Sequence, residues 1–250
     1  MLRPVDWEPK VGVLDQEDLL AQGIRVSQFI PGAKDVDALG SCTANATTGK
    51  LSSILSPPEF VRFTGSTSAA PYDDVVAAEK GAIRFYHTCT DQTGKPAEEW
   101  PPTDCGSTGA YVVQELVRQG LASGAKIAVG ATNIVSLLQQ GSLIVGQPFL
   151  NAWEEPNAAG FIDGNGSVTT LKQQIAGGIA GGHETILTAI EKLVLTRTGA
   201  IDAAKTIIRF RNSWAKGWGD NGSYRAHLST YIALSGYCDF RLVLPKVYSS

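Results

Sequence analysis

GSCTANATTGKLSSIL, residues 40–55, is the stretch on which the fold reading turns. From Cys42 onward it predicts a helix, with Ala44, Thr47, Leu51 and Ile54 roughly on one face. Ser41 stands where an N-cap is expected, and Pro57 and Pro58 are read as the stop. A cysteine that opens a helix sits at the positive end of the helix dipole, which favours an anion. A thiol is a poor nucleophile and a thiolate a good one, and a helix N-terminus with a neighbouring imidazolium lowers a thiol pKa from ~8.5 to roughly 3.5–7.5. Position alone therefore makes Cys42 a candidate nucleophile, although cysteines open helices by chance as well.

Outward from this helix the period changes along the chain. A second helix is predicted near Asp73 to His87, with Val75, Ala78, Ala82, Ile83 and Tyr86 as its apolar stripe. A third is expected from Ser107 to Arg118, closed by Gly120, and a fourth over Asn133 to Gln140. Strands are predicted at 142–150, 183–195, 205–212, 222–228 and 239–245. The glycine-rich IAGGIAGG, 175–182, reads as a flexible loop entering a strand. Helices crowd the first half and strands the second, which implies an α+β architecture rather than alternating α/β. Residues 1–30 are mixed and polar, an N-terminal extension too short to be a domain. Residues 31–245 are read as a single domain, helical over about 31–125 and β-rich over about 126–245.

Composition excludes several classes. Hydrophobic residues make up 43% and charged residues 18% of the 250, a globular balance. The net charge of -3 and the scattered Lys and Arg give no nucleic-acid footprint. No apolar run reaches the ~18 residues of a membrane span. MLRPVDWEPKVGV at the start lacks an apolar core and a small-residue cleavage pattern, so it reads as neither a signal nor a transit peptide, and a processed mature end is compatible with it. Four cysteines, Cys42, Cys89, Cys105 and Cys238, are too few for a disulfide scaffold in a chain this long. Cys89 and Cys105 flank the turn-rich DQTGKPAEEWPP and are a possible pair; four reduced thiols is the other reading.

A cysteine nucleophile needs a base within reach and a third group to hold that base. His183 lies 141 residues after Cys42, behind a double glycine and at the head of an apolar strand. His87 and His227 are in weaker settings. Asn212 opens NSWAKGWGDNG, a turn-rich block whose indoles would exclude water from an Asn–His hydrogen bond. Each element alone is weak; the three together, in the order Cys, His, Asn, are specific.

At this point the chain resembles the papain family of cysteine peptidases, and in particular its bacterial, archaeal and phage-encoded branch. The resemblance rests on GSCTANA (40–46), the helix in DCGSTGAYVVQELVRQG (104–120), GGH (181–183) and NSWxxxWGxxG (212–222), and covers roughly residues 30–245. The family's His and Asn follow its Cys by ~130–150 residues. His183 fits; Asn212, 170 residues on, is somewhat late, and the excess is placed in TRTGAIDAAKT (196–206), read as an extended turn.

The resemblance implies two lobes and a cleft, with peptide or protein as substrate and no cofactor or metal. Cys42 would attack the peptide carbonyl, His183 would shuttle the proton, and Asn212 would orient His183 under the cover of Trp214. Ser41 and Gly182 flank the two reactive groups. An acyl-enzyme would form and then be hydrolysed. The family's long inhibitory propeptide is not matched in the 41 residues before Cys42, so either the chain is processed or activity is controlled otherwise, for example by residues 1–30 across the cleft.

Several positions depart from the family pattern. Six residues before its nucleophile the family has a Gln that serves the oxyanion hole; here that position is Val36, and Gln28 is the substitute considered. Glu184 follows the histidine where the family has a small apolar residue, and strand alternation is expected to turn it away. Ala215 replaces a family Gly. The family cysteine that would pair with Cys105 is Leu39 here. Val36 and Glu184 give weight to a second reading, a papain-fold binding or structural component of a phage particle or secreted assembly. A transglutaminase-like enzyme shares the Cys–His order but generally takes an acidic third member.

Overall fold

The computed structural model describes residues 2–90 and 99–246. DQTGKPAE within the turn-rich segment therefore lies outside the described residues. The chain divides into two compact units. A β-rich unit holds the residues up to Glu8, Lys126–Asn212 and Gly217–Leu242. A helical unit holds Pro9–Ala125, the four residues Ser213–Lys216, and the chain from Val243 on.

In the helical unit, α1 (Cys42–Ile54) is buried along most of its length, from Thr43 to Ser52. This is why its face is hard to read from apolar spacing: its hydroxyls are inside. Thr47 and Thr48 are satisfied within the helix, Thr47 Oγ1 on Thr43 O at 2.7 Å and Thr48 Oγ1 on Ala44 O at 2.8 Å. The two prolines do not merely stop α1. They open α2 (Pro57–Thr64), where Ser56 and Glu59 form a capping box and proline suits the first turn, whose N–H has no intrahelical acceptor. Helix α3 (Val75–Thr90) buries Ala78, Ala82, Ile83 and Tyr86 as the stripe predicts. Gly81 lets α2 and α3 close up, since a Cβ there would stand 3.0 Å from Thr64 Cα. Helix α4 (Gly109–Arg118) is capped by Thr108, whose side chain accepts from Tyr111 N.

Within this unit, residues Glu17 to Ala38 form an excursion. Its neck is closed by backbone bonds from Leu39 N to Gln16 O at 3.0 Å and from Leu19 N to Asp37 O at 2.8 Å. Leu19, Ile24, Val26 and Ile30 are each no more than 2% exposed and give the excursion its own apolar centre.

The sheet contains β1 (Val5–Asp6), β2 (Ala122–Ala128), β3 (Leu143–Leu150), β4 (Ile179–Lys192), β5 (Ile207–Arg211), β6 (Ser223–His227) and β7 (Asp239–Pro245). Its order is β2-β7-β3-β4-β5-β6, with β1 also on β4. Helices α5 (Gly130–Leu138), α6 (Val168–Ala176) and α7 (Leu228–Ala233) complete the β-rich unit. The architecture is α+β, as the segregation of periods implies.

The IAGGIAGG expectation is corrected. Ile179 to Gly182 already belong to β4, with Gly181 opposite Phe149 and Gly182 opposite Pro148. Glycines lower strand propensity, but here the β3 ladder overrides it. Phe210 anchors the unit's core, stacked on Tyr224 at 4.8 Å and on Tyr231 at 4.7 Å. The 196–206 segment is a turn closed by Thr196 N to Ala200 O at 2.8 Å.

Candidate active site

His183 stands on β4 opposite Gln147 of β3. The ring is 8% exposed and meets Phe149 edge-on at a centroid distance of 5.0 Å. Its Nε2 lies 2.6 Å from Asn212 Oδ1. An amide oxygen only accepts, so Nε2 carries the proton and Nδ1 the lone pair, which is the tautomer a thiol's base requires. Burial pushes the imidazole pKa down to about 4, against the raising effect of the Asn212 bond. The ring is therefore neutral at neutral pH, with the lone pair on Nδ1.

Asn212 follows β5 directly, and its N–H donates to Gly222 O at 2.8 Å. The block after it is shaped by left-handed residues: Ala215 (φ 57°), Gly219 (φ 55°), Asn221 (φ 52°) and Gly222 (φ 78°). A side chain at Gly219 would also strike Ser223 O at 2.5 Å. Trp218 fastens the block, donating from Nε1 to Glu154 O at 2.7 Å.

Cys42 is the first residue of α1 and half-buried. Ser41 occupies the N-cap position but does not cap with its side chain. Its Oγ reaches back to Leu39 O at 3.4 Å instead, so the cap expectation is corrected. Gly182 is exposed, and a Cβ on it would meet nothing within 4 Å. Trp214 lies in the helical unit, where it forms an isolated bridge with Asp15.

Neither residue considered for the oxyanion donor is built into a site. Val36 is half-buried in the returning limb of the 17–38 excursion, and Gln28 is exposed at the end of a short 3-10 helix, Val26–Gln28. The residue that counting missed is Gln16, which is 4% exposed. Its Oε1 accepts from Ser213 Oγ at 2.7 Å and its Nε2 donates to Leu39 O at 3.0 Å. Its backbone N–H donates to Ser213 O at 3.1 Å. One glutamine thus joins the residue after Asn212 to the turn that leads into Cys42. The Leu39 carbonyl, which can only accept, fixes which end of the amide is nitrogen, and the second N–H of Nε2 is left to serve another acceptor. A count of six residues back from Cys42 lands on Val36, within the 17–38 excursion, whereas Gln16 lies at its neck, its carbonyl accepting from Leu39 N. The sequence signal for it was the apolar, glycine-punctuated character of 17–38, which reads as a self-contained loop.

Glu184 lies 3% exposed beside Gly146, across the strand from it and near Asp239. Burial, with Asp239 adding and Arg241 opposing, pushes its carboxyl up to about 8. The four cysteines are thiols, with no disulfide among the described residues. No group of three or more His, Cys, Asp or Glu among those residues is placed to hold a metal ion, and no described helix is long and apolar enough to cross a membrane.

No family model and no curated protein sequence matches the chain. Among solved structures, it is similar to xylellain, a cysteine protease from Xylella fastidiosa, at 17% identity and a TM-score of 0.48, over 98% of this chain and 87% of that one. It is also similar to procathepsin B S9 from Trypanosoma congolense at 12% identity and a TM-score of 0.33, over 51% of this chain and 37% of that one. Likeness of this degree shows neither family nor activity, so any assignment of chemistry rests on the chain's own residues.

Proposed function

We propose that the chain is a papain-like cysteine peptidase acting through Cys42, His183 and Asn212 on peptide or protein substrates. The observation that carries this reading is the buried His183–Asn212 pair at 2.6 Å, with the amide oxygen setting the imidazole tautomer. A buried structural histidine would also take a partner, but this partner leaves the lone pair on Nδ1. A base for a thiol needs this one, because the lone pair must sit on the other nitrogen.

In the proposed reaction the Nδ1 of His183 takes the Cys42 proton, and the sulfur adds to the substrate carbonyl. The Cys42 N–H, at the start of α1, and the second N–H of Gln16 Nε2 donate to the oxyanion that forms. His183 passes its proton to the leaving amine, the C–N bond breaks, and a thioester remains. Water, deprotonated by His183, then hydrolyses it. The bare backbone at Gly181 and Gly182 leaves the approach to His183 uncrowded. No cofactor or metal enters this chemistry.

Two measurements test the reading. Iodoacetamide should label Cys42 well below pH 8, ahead of Cys89, Cys105 and Cys238; burial pushes the Cys238 thiol up to about 12, so it should lag. Hydrolysis of fluorogenic peptides should vanish in Cys42→Ala while the fold persists by circular dichroism. Equal labelling of all four thiols, or hydrolysis that survives Cys42→Ala, overturns it.

A further inference from the structure

Gln16 is well held by its neighbours, but a segment that carries an oxyanion donor must also be fixed to the helix that carries the nucleophile. Asp15 and Gln16 belong to neither a helix nor a sheet strand. One buried carboxylate supplies the missing link. Glu79, on α3, is 0% exposed. Its Oε2 accepts from the Asp15 N–H at 3.0 Å, and its Oε1 accepts from Asn45 Nδ2 at 2.7 Å. Asn45 lies on α1, three residues after Cys42, and is itself 2% exposed. The carboxylate thus spans from the first turn of the nucleophile helix to the peptide unit next to Gln16. The charged group near it is Asp15, whose carboxylate repels it, and burial with that repulsion holds its carboxyl up to about 7. Burying an acid is costly, and the bonds from Asp15 N–H and Asn45 Nδ2 offset part of that cost.

We propose that Glu79 is the positioning residue for the oxyanion donor, clamping the Asp15–Gln16 segment to the helix that carries Cys42. The inference rests on the peptidase reading. The clamp works in both protonation states. Ionised Glu79 accepts both bonds. Protonated Glu79 keeps the Asp15 N–H on one oxygen and donates from the other to Asn45, whose amide turns over. Asn45 Oδ1, buried and without a hydrogen-bond partner among the described residues, is the acceptor available for this. A glutamine at position 79 reproduces the protonated arrangement, and a leucine of similar size reproduces neither.

The test compares the full-length wild type with Glu79→Leu, Glu79→Gln and Asn45→Ala through three readouts: hydrolysis of a fluorogenic peptide amide, the inhibition constant of a peptide aldehyde, and the rate of Cys42 alkylation by iodoacetamide. Addition to the aldehyde forms a C–S bond and puts the carbonyl electron pair on an oxygen in the hole. Alkylation displaces iodide at carbon and forms no oxyanion. A positioning role predicts that Glu79→Leu lowers kcat and weakens aldehyde binding by on the order of 10-fold, with alkylation within about twofold. Glu79→Gln should restore kcat to within about threefold, and Asn45→Ala should show a smaller loss in the same direction, which keeps the test decisive should Glu79→Leu fail to fold. Parallel loss of alkylation and hydrolysis in the folded variants means a structural role only and overturns the inference. So does unchanged hydrolysis and aldehyde binding in Glu79→Leu, or in Asn45→Ala where only that variant folds. A wild type that alkylates at Cys42 but neither hydrolyses peptides nor binds the aldehyde defeats the peptidase reading itself, and the inference with it.

Discussion

Replacing Gln16 with alanine removes one side-chain donor and leaves the rest of the proposed machinery in place. Loss of a single oxyanion donor costs about 10²–10³ in kcat, or ~2.7–4 kcal/mol of transition-state stabilisation. The same change has a separate effect on the fold. Ser213 Oγ loses the acceptor it holds at 2.7 Å, and Leu39 O loses the Nε2 donor at 3.0 Å. Each lost hydrogen bond is worth ~0.5–1.5 kcal/mol, so the melting temperature should drop by a few degrees. The two effects are separable: initial-rate kinetics on a fluorogenic peptide give the first, thermal unfolding gives the second, and iodoacetamide alkylation checks that the Cys42 thiolate is intact. Val36→Gln and Gln28→Ala serve as controls and should leave turnover within about twofold, because neither side chain is built into the network that holds Leu39 and Ser213. Gln16→Ala with turnover within threefold of wild type would refute the assignment. So would Val36→Gln raising turnover tenfold, which would mean that spacing, not the hydrogen-bond network, identifies the donor.

Asn212→Ala should lower kcat by about 10²-fold, since the imidazole loses the bond that orients it; kcat unchanged in a folded variant would remove Asn212 from the mechanism. Ala215→Gly should stabilise the chain by ~1 kcal/mol, because Ala215 holds a φ of 57° that only glycine adopts without penalty, and a melting temperature that falls instead would contradict this. The folded-state pKa of Glu184, about 8, lies above its unfolded value near 4.5, so the native state holds the extra proton between those limits. Its contribution to stability is therefore full below pH 4.5, declines as pH rises, and is lost above pH 8. Glu184→Gln should flatten the urea-midpoint profile over that window and be the more stable form at pH 9, and identical slopes for the two proteins would show that Glu184 is ionised in the fold.

The parts of the proposed site that are legible in the sequence are those whose candidate chemistry and local structure coincide. Cys42 begins a helix, His183 lies in a strand, and Asn212 begins a turn block, so each announces itself through residues beside it in the chain. The helical first half and stranded second half were legible for the same reason, since each period is local. What failed was local as well. IAGGIAGG looked like a loop because glycine disfavours strands, yet its end at Ile179–Gly182 is held by Phe149 and Pro148, which are some thirty residues earlier. Pro57 and Pro58 looked like a stop because proline ends helices, whereas Ser56 and Glu59 make them a start.

Gln16 is the sharper case. A residue that acts through distant partners can be found by offset only if nothing has been inserted between them, and an offset is a statement about chain length, not about geometry. Here the 17–38 excursion closes on itself through Gln16 to Leu39 and Leu19 to Asp37, so it lengthens the chain without separating its ends. Loop closure grows only slowly more costly with length, roughly 0.6 kcal/mol per doubling, so an excursion of this kind is easily accommodated once its own apolar residues are packed. The Val36 position is thus a consequence of counting along a loop. In the proposed site Gln16 takes the donor's place, and on that reading the valine at position 36 no longer favours a binding or structural component over a peptidase.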